Sequence, residues 1–295
     1  MPLRMSRATS PKRTYGDRIA AMHILLTNDD GISAPGLAAM YRELVSLGDV
    51  SVVAPDTSQS ASAHAITINA PLMVQEVHVH NEFHGQAVAG RPVDCVKLAL
   101  KELVTGPVDL VISGINDGAN VGINVLYSGT VAAAAEGALM GLPSVAVSLE
   151  RGEELDFQRA ARIARGLIER MIEIGIRPGM LLNVNIPNFG RGAPRGVRVV
   201  SQSIQTMDDH YACHEGPDGG RQYWLQGKYG PVNESETTDL RALMDRYIAL
   251  TPLQFDLTAR DVIHEVARWE WPEPPQWTAT CTPSAPNAGP TSSSI

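Results

Sequence analysis

Apolar residues along this chain alternate between short continuous runs and longer stretches with helical spacing. Residues 23–27 (His-Ile-Leu-Leu-Thr) form a run that stops at Asn28-Asp29-Asp30-Gly31, which predicts a buried strand and a turn. Leu37, Met40, Tyr41, Leu44 and Val45 then recur at helical spacing over 35–47. Ser33 is suited to cap that helix, Pro35 to its first turn and Gly48 to its end. Residues 50–54 read as a second strand, 72–79 and 82–89 as a hairpin, 93–104 as a helix and 108–113 as another buried strand. A small-residue helix over 130–140, a strand over 145–149, a long helix over 155–174 and a strand over 181–186 complete the series. The long helix carries Phe157, Ala161, Ala164, Ile168, Met171 and Ile172 on one face. Strands alternating with helices predict an α/β fold whose mainly parallel sheet is covered on both faces.

From about residue 188 to 256 the chain is richer in Gly, Gln, Tyr and polar residues, with short strand-like pieces at 197–200 and 247–250. This stretch predicts antiparallel hairpins or an arm, and 256–269 a closing helix. The expected division is therefore a core over 22–187, an arm with its closing helix over 188–271, and flanks at 1–21 and 272–295. The tail is rich in Pro, Ser and Thr with Glu273 as its only charge, a composition that predicts disorder. Residues 1–21 carry Arg4, Arg7, Lys12, Arg13 and Arg18 against Asp17 alone and lack the apolar centre of a secretory signal. They read as a segment upstream of a true start at Met22, with a transit peptide as the alternative.

Composition narrows the function classes. At 295 residues, 44% apolar and 19% charged, the chain can bury a core, and its apolar runs are far shorter than a bilayer requires. A formal net charge of −8 argues against binding a nucleic acid polymer, which needs clustered Lys and Arg, and leaves room for a small anion at one site. Cys95, Cys213 and Cys281 are widely spaced and form no paired motif, so a reducing compartment, the cytoplasm, is expected.

In open α/β sheets ligands bind beyond the carboxyl ends of the strands, so the loops there carry the chemistry. Asp29 and Asp30 repel one another, and a strand end holds both only if a cation or hydrogen-bond donors neutralise them. Taken alone they are equally an ordinary turn. The loop over 54–62 offers Ser58, Ser60 and Ser62 hydroxyls, and the loop over 113–122 offers amide oxygens at Asn116 and Asn120. Either is by itself a plain connection. Ser128-Gly129-Thr130 opens the alanine-rich helix, whose free N–H groups suit a phosphate, although a simple cap accounts for an isolated Ser-Gly-Thr. Together, hard oxygen donors beside an anion cradle suit Mg²⁺ or Mn²⁺ and describe a phosphoryl-transfer site.

The stretch Ile24-Leu25-Leu26-Thr27-Asn28-Asp29-Asp30-Gly31 with Ala34-Pro35-Gly36 resembles the opening signature of the SurE survival proteins. The resemblance continues through Val53-Ala54-Pro55-Asp56 with Gln59-Ser60, Gly90 with Pro92, Asp94 and Cys95, and Ser113-Gly114-Ile115-Asn116 with Gly118 and Asn120. It includes Tyr127-Ser128-Gly129-Thr130-Val131-Ala132-Ala133-Ala134 with Glu136-Gly137, and reaches Thr251-Pro252-Leu253. It implies a Rossmann-like core, an extended C-terminal arm exchanged between subunits, and a homodimer or homotetramer. It further implies a metal-dependent phosphatase of nucleoside 5′- and 3′-monophosphates, with short polyphosphate as a substrate of some members. One divalent ion per subunit, Mg²⁺ or Mn²⁺, would be held by Asp29, Asp30, Ser60 and Asn116. The family commonly has Gly where this chain has Ala61, so a positive φ there would strain the loop that carries Ser60.

On this reading Asn28, Ser128, Gly129, Thr130 and Asn120 contact the substrate, and Asp29 or Asp30 acts as base or nucleophile. A phosphoaspartyl mechanism and a nucleotide-binding module without turnover are the alternatives. His78 and His80 alternate on one strand face and read as exposed hairpin residues in the absence of a third ligand. His64 reads as a loop histidine with an ordinary hydrogen bond. Tyr211, Tyr223, Trp224 and Tyr229 are expected to pack at a subunit contact, with stacking on a base as the alternative.

Overall fold

The computed structural model describes residues 22–79, 81–205, 208–228 and 237–271. The proposed upstream segment, the tail, His80 and Tyr229 lie outside the described residues. The chain divides into a large unit that ends at Phe255 and a small one that begins at Asp256.

In the large unit, β1 (His23–Thr27), α1 (Pro35–Leu44), β2 (Asp49–Pro55), β3 (Val74–Val79), β4 (Phe83–Val88) and α2 (Pro92–Leu98) come first. They are followed by β5 (Leu110–Asp117), α3 (Gly129–Leu139), β6 (Ser144–Leu149), α4 (Phe157–Ile174) and β7 (Leu181–Ile186). The remainder comprises β8 (Val197–Val199), β9 (Asp208–Glu215), β10 (Arg221–Lys228), α5 (Asp239–Met244) and β11 (Ile248–Leu253). A nine-stranded sheet runs β3-β4-β2-β1-β5-β6-β7-β11-β8, and β9 pairs with β10 in a separate antiparallel ribbon. The central strands β4, β2, β1, β5, β6 and β7 are parallel, while β3 and β11 join antiparallel. This is the expected α/β architecture.

Burial explains the layers. Strands β6 and β7 are buried at every position because helices cover both faces of the sheet. Leu37, Met40 and Leu44 of α1 join Ala161, Ala164 and Ile168 of α4 in one apolar layer with Ile24, Leu26 and Ile112. Leu25, Val53 and Val111 point the other way, to Cys95 and Val96 of α2 and Ala133 of α3. The period-two alternation of each strand thus feeds two cores.

Several expectations change. The first residue outside α1 is Ala34, and no side chain caps the helix, so Ser33 is not its cap. The helix expected over 93–104 ends as α at Leu98 and closes with a π turn over Ala99–Leu103. Strand β5 runs past Ser113 to Asp117 through a register shift against β6. Gly114 makes this possible, since it lies at φ +133 and a Cβ there would fall 2.2 Å from the Val147 carbonyl oxygen. The stretch after 187 is not all arm: β8, α5 and β11 complete the main unit, and only β9 and β10 form a separate ribbon. In the small unit, the expected closing helix is one turn, α6 (Ile263–Val266). Asp256 accepts a bond from the Thr258 N–H at 3.0 Å, a local turn that competes with helix. Among the described residues no helix is long and apolar enough to cross a membrane.

Candidate active site

Chain order fixes where the site lies. From β1 the chain passes through α1 to β2 on one side, then returns to β5 on the other side of β1. The helices therefore leave β1 and β5 in opposite directions, which opens a crevice at the carboxyl ends of these strands. Asp29 and Asp30 follow β1, Ser60 follows β2, Asn116 and Asp117 end β5, and Ser128 precedes α3. All six line one cavity of about 720 Å³. Its other walls include Asn120, Tyr127 and Arg151, with Asp209, Tyr211 and Leu225 from the β9–β10 ribbon.

Asp29 is only 6% exposed. Thr130, 101 positions later, donates its hydroxyl to Asp29 Oδ1, and its backbone N–H is directed to the same carboxylate. Burial pushes the Asp29 carboxyl up to about 6, with the Asp30 charge adding to the rise and the Thr130 bonds opposing it. Asp30 is also raised, chiefly by burial and further by the Asp117 charge, while the Asp117 N–H at 3.1 Å from Oδ2 and the Arg151 charge oppose it. Burial thus makes both aspartates ionise less readily than free carboxylates, a cost that a nearby cation would offset.

The expected substrate contacts separate into two groups. Ser128 lines the cavity and its Oγ accepts from the Val131 N–H at 3.1 Å, capping α3. Asn120 also lines it, held by Nδ2 donating to Ser148 Oγ at 2.9 Å and by backbone bonds with Asn183 and Asn185 of β7. Asn28, Gly129 and Thr130 are not in the cavity wall. Asn28 is fully buried and bridges both backbone groups of Gly31, shaping the turn that presents the aspartates. Thr130 is fully buried and its donors serve Asp29. Gly129 is wedged so tightly that a Cβ would meet Ser62 Oγ at 2.7 Å and Asp29 Oδ2 at 2.9 Å. The amino end of α3 therefore supports a carboxylate of the protein itself.

The donor set suits a hard cation. Asn116 Nδ2 donates to the Gly118 carbonyl at 2.7 Å, which leaves its amide oxygen as an acceptor in the cavity that Asp29, Asp30 and Ser60 also line. Among the described residues no three His, Cys, Asp or Glu side chains gather as a thiolate or imidazole metal site would require.

Comparison with known proteins identifies the family. The family described as survival protein SurE matches residues 24–209. The chain belongs to the SurE family. A protein named 5′-nucleotidase SurE from Syntrophobacter fumaroxidans is 44% identical over 248 residues, covering 84% of this chain and 99% of its own length. One of the same name from Rhodopirellula baltica is 45% identical over 249 residues, covering 84% and 98%. The crystal structure of a SurE protein from Aquifex aeolicus superposes with a TM-score of 0.72 at 35% identity, covering 83% of this chain and 98% of that one.

Within this SurE fold, the loop bearing Ser60 behaves as the Ala61 substitution anticipates: Ala61 lies at φ +55, and Ala63 at +50. Sequence reading missed what holds the loop. His64 Nε2 lies 3.0 Å from Glu136 Oε2, and Lys97 grips the other oxygen of Glu136. Asp94 accepts from the Thr67 N–H and hydroxyl at 2.9 and 2.7 Å. The paired Asn183 and Asn185 in an otherwise apolar strand were a visible signal for the Asn120 support. Elsewhere, His78 bonds the exposed His84 of the paired strand. Tyr211 stands in the cavity wall, whereas Tyr223 and Trp224 are exposed on the ribbon.

Proposed function

We propose that this chain is a metal-dependent phosphomonoesterase that hydrolyses nucleoside 5′- and 3′-monophosphates to nucleoside and phosphate, with short polyphosphate as a further substrate. The observation that carries this reading is the convergence of Asp29, Asp30, Ser60 and Asn116, from three separate strand ends, on one cavity. Relatives that share most of the chain bear the name 5′-nucleotidase.

Asp29, Asp30, Ser60 and Asn116 would hold one Mg²⁺ or Mn²⁺. When bound, such an ion supplies positive charge against the phosphoryl oxygens and lowers the pKa of water. The chain's own groups do the rest. Thr130 fixes one Asp29 oxygen and the Asp117 N–H fixes one of Asp30, so the carboxylates are oriented before substrate arrives. Either carboxylate stands where it can accept a proton from attacking water. Ser128 and Asn120 present polar groups to the substrate, and Tyr127 and Tyr211 offer faces against which a base can stack. Substrate alignment and charge stabilisation supply most of the acceleration in phosphoryl transfer.

The reading also places the enzyme in the cytoplasm, supported by widely spaced cysteines, with Cys95 and Cys213 unpaired. It assigns the exposed Tyr223 and Trp224 of the ribbon to a contact in a homodimer or homotetramer.

Phosphate release from AMP, measured with Mg²⁺, with Mn²⁺ and with EDTA, tests the reading. Activity is expected with metal, none in EDTA, and none in Asp29→Asn or Asp30→Asn. Full activity in both variants refutes the assignment. A phosphoenzyme trapped by rapid quench would point instead to a phosphoaspartyl route, and AMP binding without turnover and unaffected by EDTA to a binding module.

A further inference from the structure

Among the described residues, the cavity wall holds four carboxylates, Asp29, Asp30, Asp117 and Asp209, and one cationic side chain, Arg151. Arg151 follows β6 and is placed by two contacts. Its Nε donates to Asp117 Oδ1 at 2.9 Å. Its stem crosses Gly118, where a Cβ would stand 3.6 Å from Nε and 3.9 Å from Cγ. The side chain is nonetheless 75% exposed, and among the described residues its two terminal nitrogens make no hydrogen bond. Asp117 thus holds one edge of a planar guanidinium, while the terminal N–H groups remain for another acceptor.

We propose that Arg151 is a substrate-binding residue that grips the phosphate of the nucleotide through its terminal N–H groups. This deepens the nucleotidase reading and rests on it. The charge count supports the assignment. A divalent ion offsets Asp29 and Asp30, Arg151 offsets Asp117, and Asp209 leaves the wall anionic even then. A phosphate dianion entering such a wall needs donors that carry positive charge, and among the described side chains Arg151 supplies them. An exposed guanidinium acts mainly on binding, since solvent screens it in the ground state and the transition state alike.

Two roles predict different outcomes. If Arg151 only neutralises Asp117, removing both charges restores binding; if it grips phosphate, binding stays weak. KM and kcat for AMP are measured with metal, and AMP affinity by calorimetry, for Arg151→Ala, Arg151→Lys, Asp117→Asn and the Arg151→Ala/Asp117→Asn double variant. Arg151→Ala is expected to raise KM and Kd about five- to tenfold with kcat within about twofold. Arg151→Lys should fall between Arg151→Ala and wild type, Asp117→Asn should bind at least as tightly as wild type, and the double variant should remain about fivefold weak. Restoration of wild-type KM and Kd in the double variant, or no change in Arg151→Ala, overturns the proposal. A wild-type protein that binds AMP without hydrolysing it would refute the nucleotidase reading while the Kd series still decides the role of Arg151.

Discussion

The β1 side and the β2 side of the cavity hold their oxygen donors in different ways. On the β1 side Asp29 is buried, its carboxylate is gripped by Thr130, and Gly129 leaves no free space behind it. On the β2 side Ser60 sits on an exposed loop with two alanines in the left-handed region. That loop is tied only at intervals: Gln59 N–H to the Asp29 carbonyl at 2.7 Å, Ala63 N–H to the Tyr127 carbonyl at 3.0 Å, and His64 and Thr67 to Glu136 and Asp94. One donor is preorganised by packing, the other by remote anchors. Packing places a group at the expense of desolvating it, and anchoring leaves it hydrated but dependent on each tie.

The largest effect should come from the desolvated side. Burial first, then the Asp30 charge, raises the folded-state pKa of Asp29 from 3.8 to about 6. A raised folded-state pKa contributes stability that is full below the unfolded value and lost as pH rises through the folded one. In EDTA, the wild type should therefore lose about 2 kcal/mol relative to Asp29→Asn between about pH 4 and pH 6.5. Urea denaturation of both proteins across that range measures it, and a pH-independent difference would show that Asp29 is not a desolvated carboxylate. Saturating Mg²⁺ should remove most of the loss.

A smaller effect is expected at the anchors. Burial raises the Glu136 carboxyl, but the bonds from Lys97 and His64 outweigh it and hold the pKa below 4.5. Its contribution is present above the unfolded pKa and disappears as pH falls through the lowered one. Glu136→Gln should cost about 1–3 kcal/mol at pH 7 and weaken Mg²⁺ binding about tenfold through the Ser60 loop. Calorimetric titration together with denaturation checks both, and loss of stability with intact Mg²⁺ affinity would separate the anchor from the donor. The smallest effect belongs to the backbone: Ala61→Gly should raise stability by about 1 kcal/mol or less, because glycine takes φ +55 without a Cβ clash. A lowered melting temperature would argue that the loop is not strained there.

Much of this was legible along the chain because it is local. The run over 181–186 and the periodic helix ending at residue 174 are each set by neighbours in sequence, and both appear in the structure with those bounds. Asp29, Asp30, Ser60 and Asn116 were visible because each lies at or just beyond the end of a strand, and parallel strands deliver their ends to one edge. The grip of Thr130 on Asp29, Glu136 on His64 and Asp117 on Arg151 was not visible. Those pairs lie 101, 72 and 34 positions apart, and nothing in the local pattern marks one partner for the other. The start of α3 carries a second partner hidden in the same way, since Ser-Gly-Thr gives no local sign that the Thr130 hydroxyl bonds Asp29. The arm was overestimated because weak strands such as β8 gain their stability from pairing with β11, which periodicity does not register.

The ribbon of β9 and β10 leaves the chain between β8 and β11, two strands hydrogen-bonded to each other within the main sheet. Asp209, Tyr211 and Leu225 of this ribbon line the cavity that also holds Asp29 and Asp30. Because this ribbon pairs only within itself, a change in its side chains would alter that wall of the cavity without changing the pairing of β1, β2 and β5.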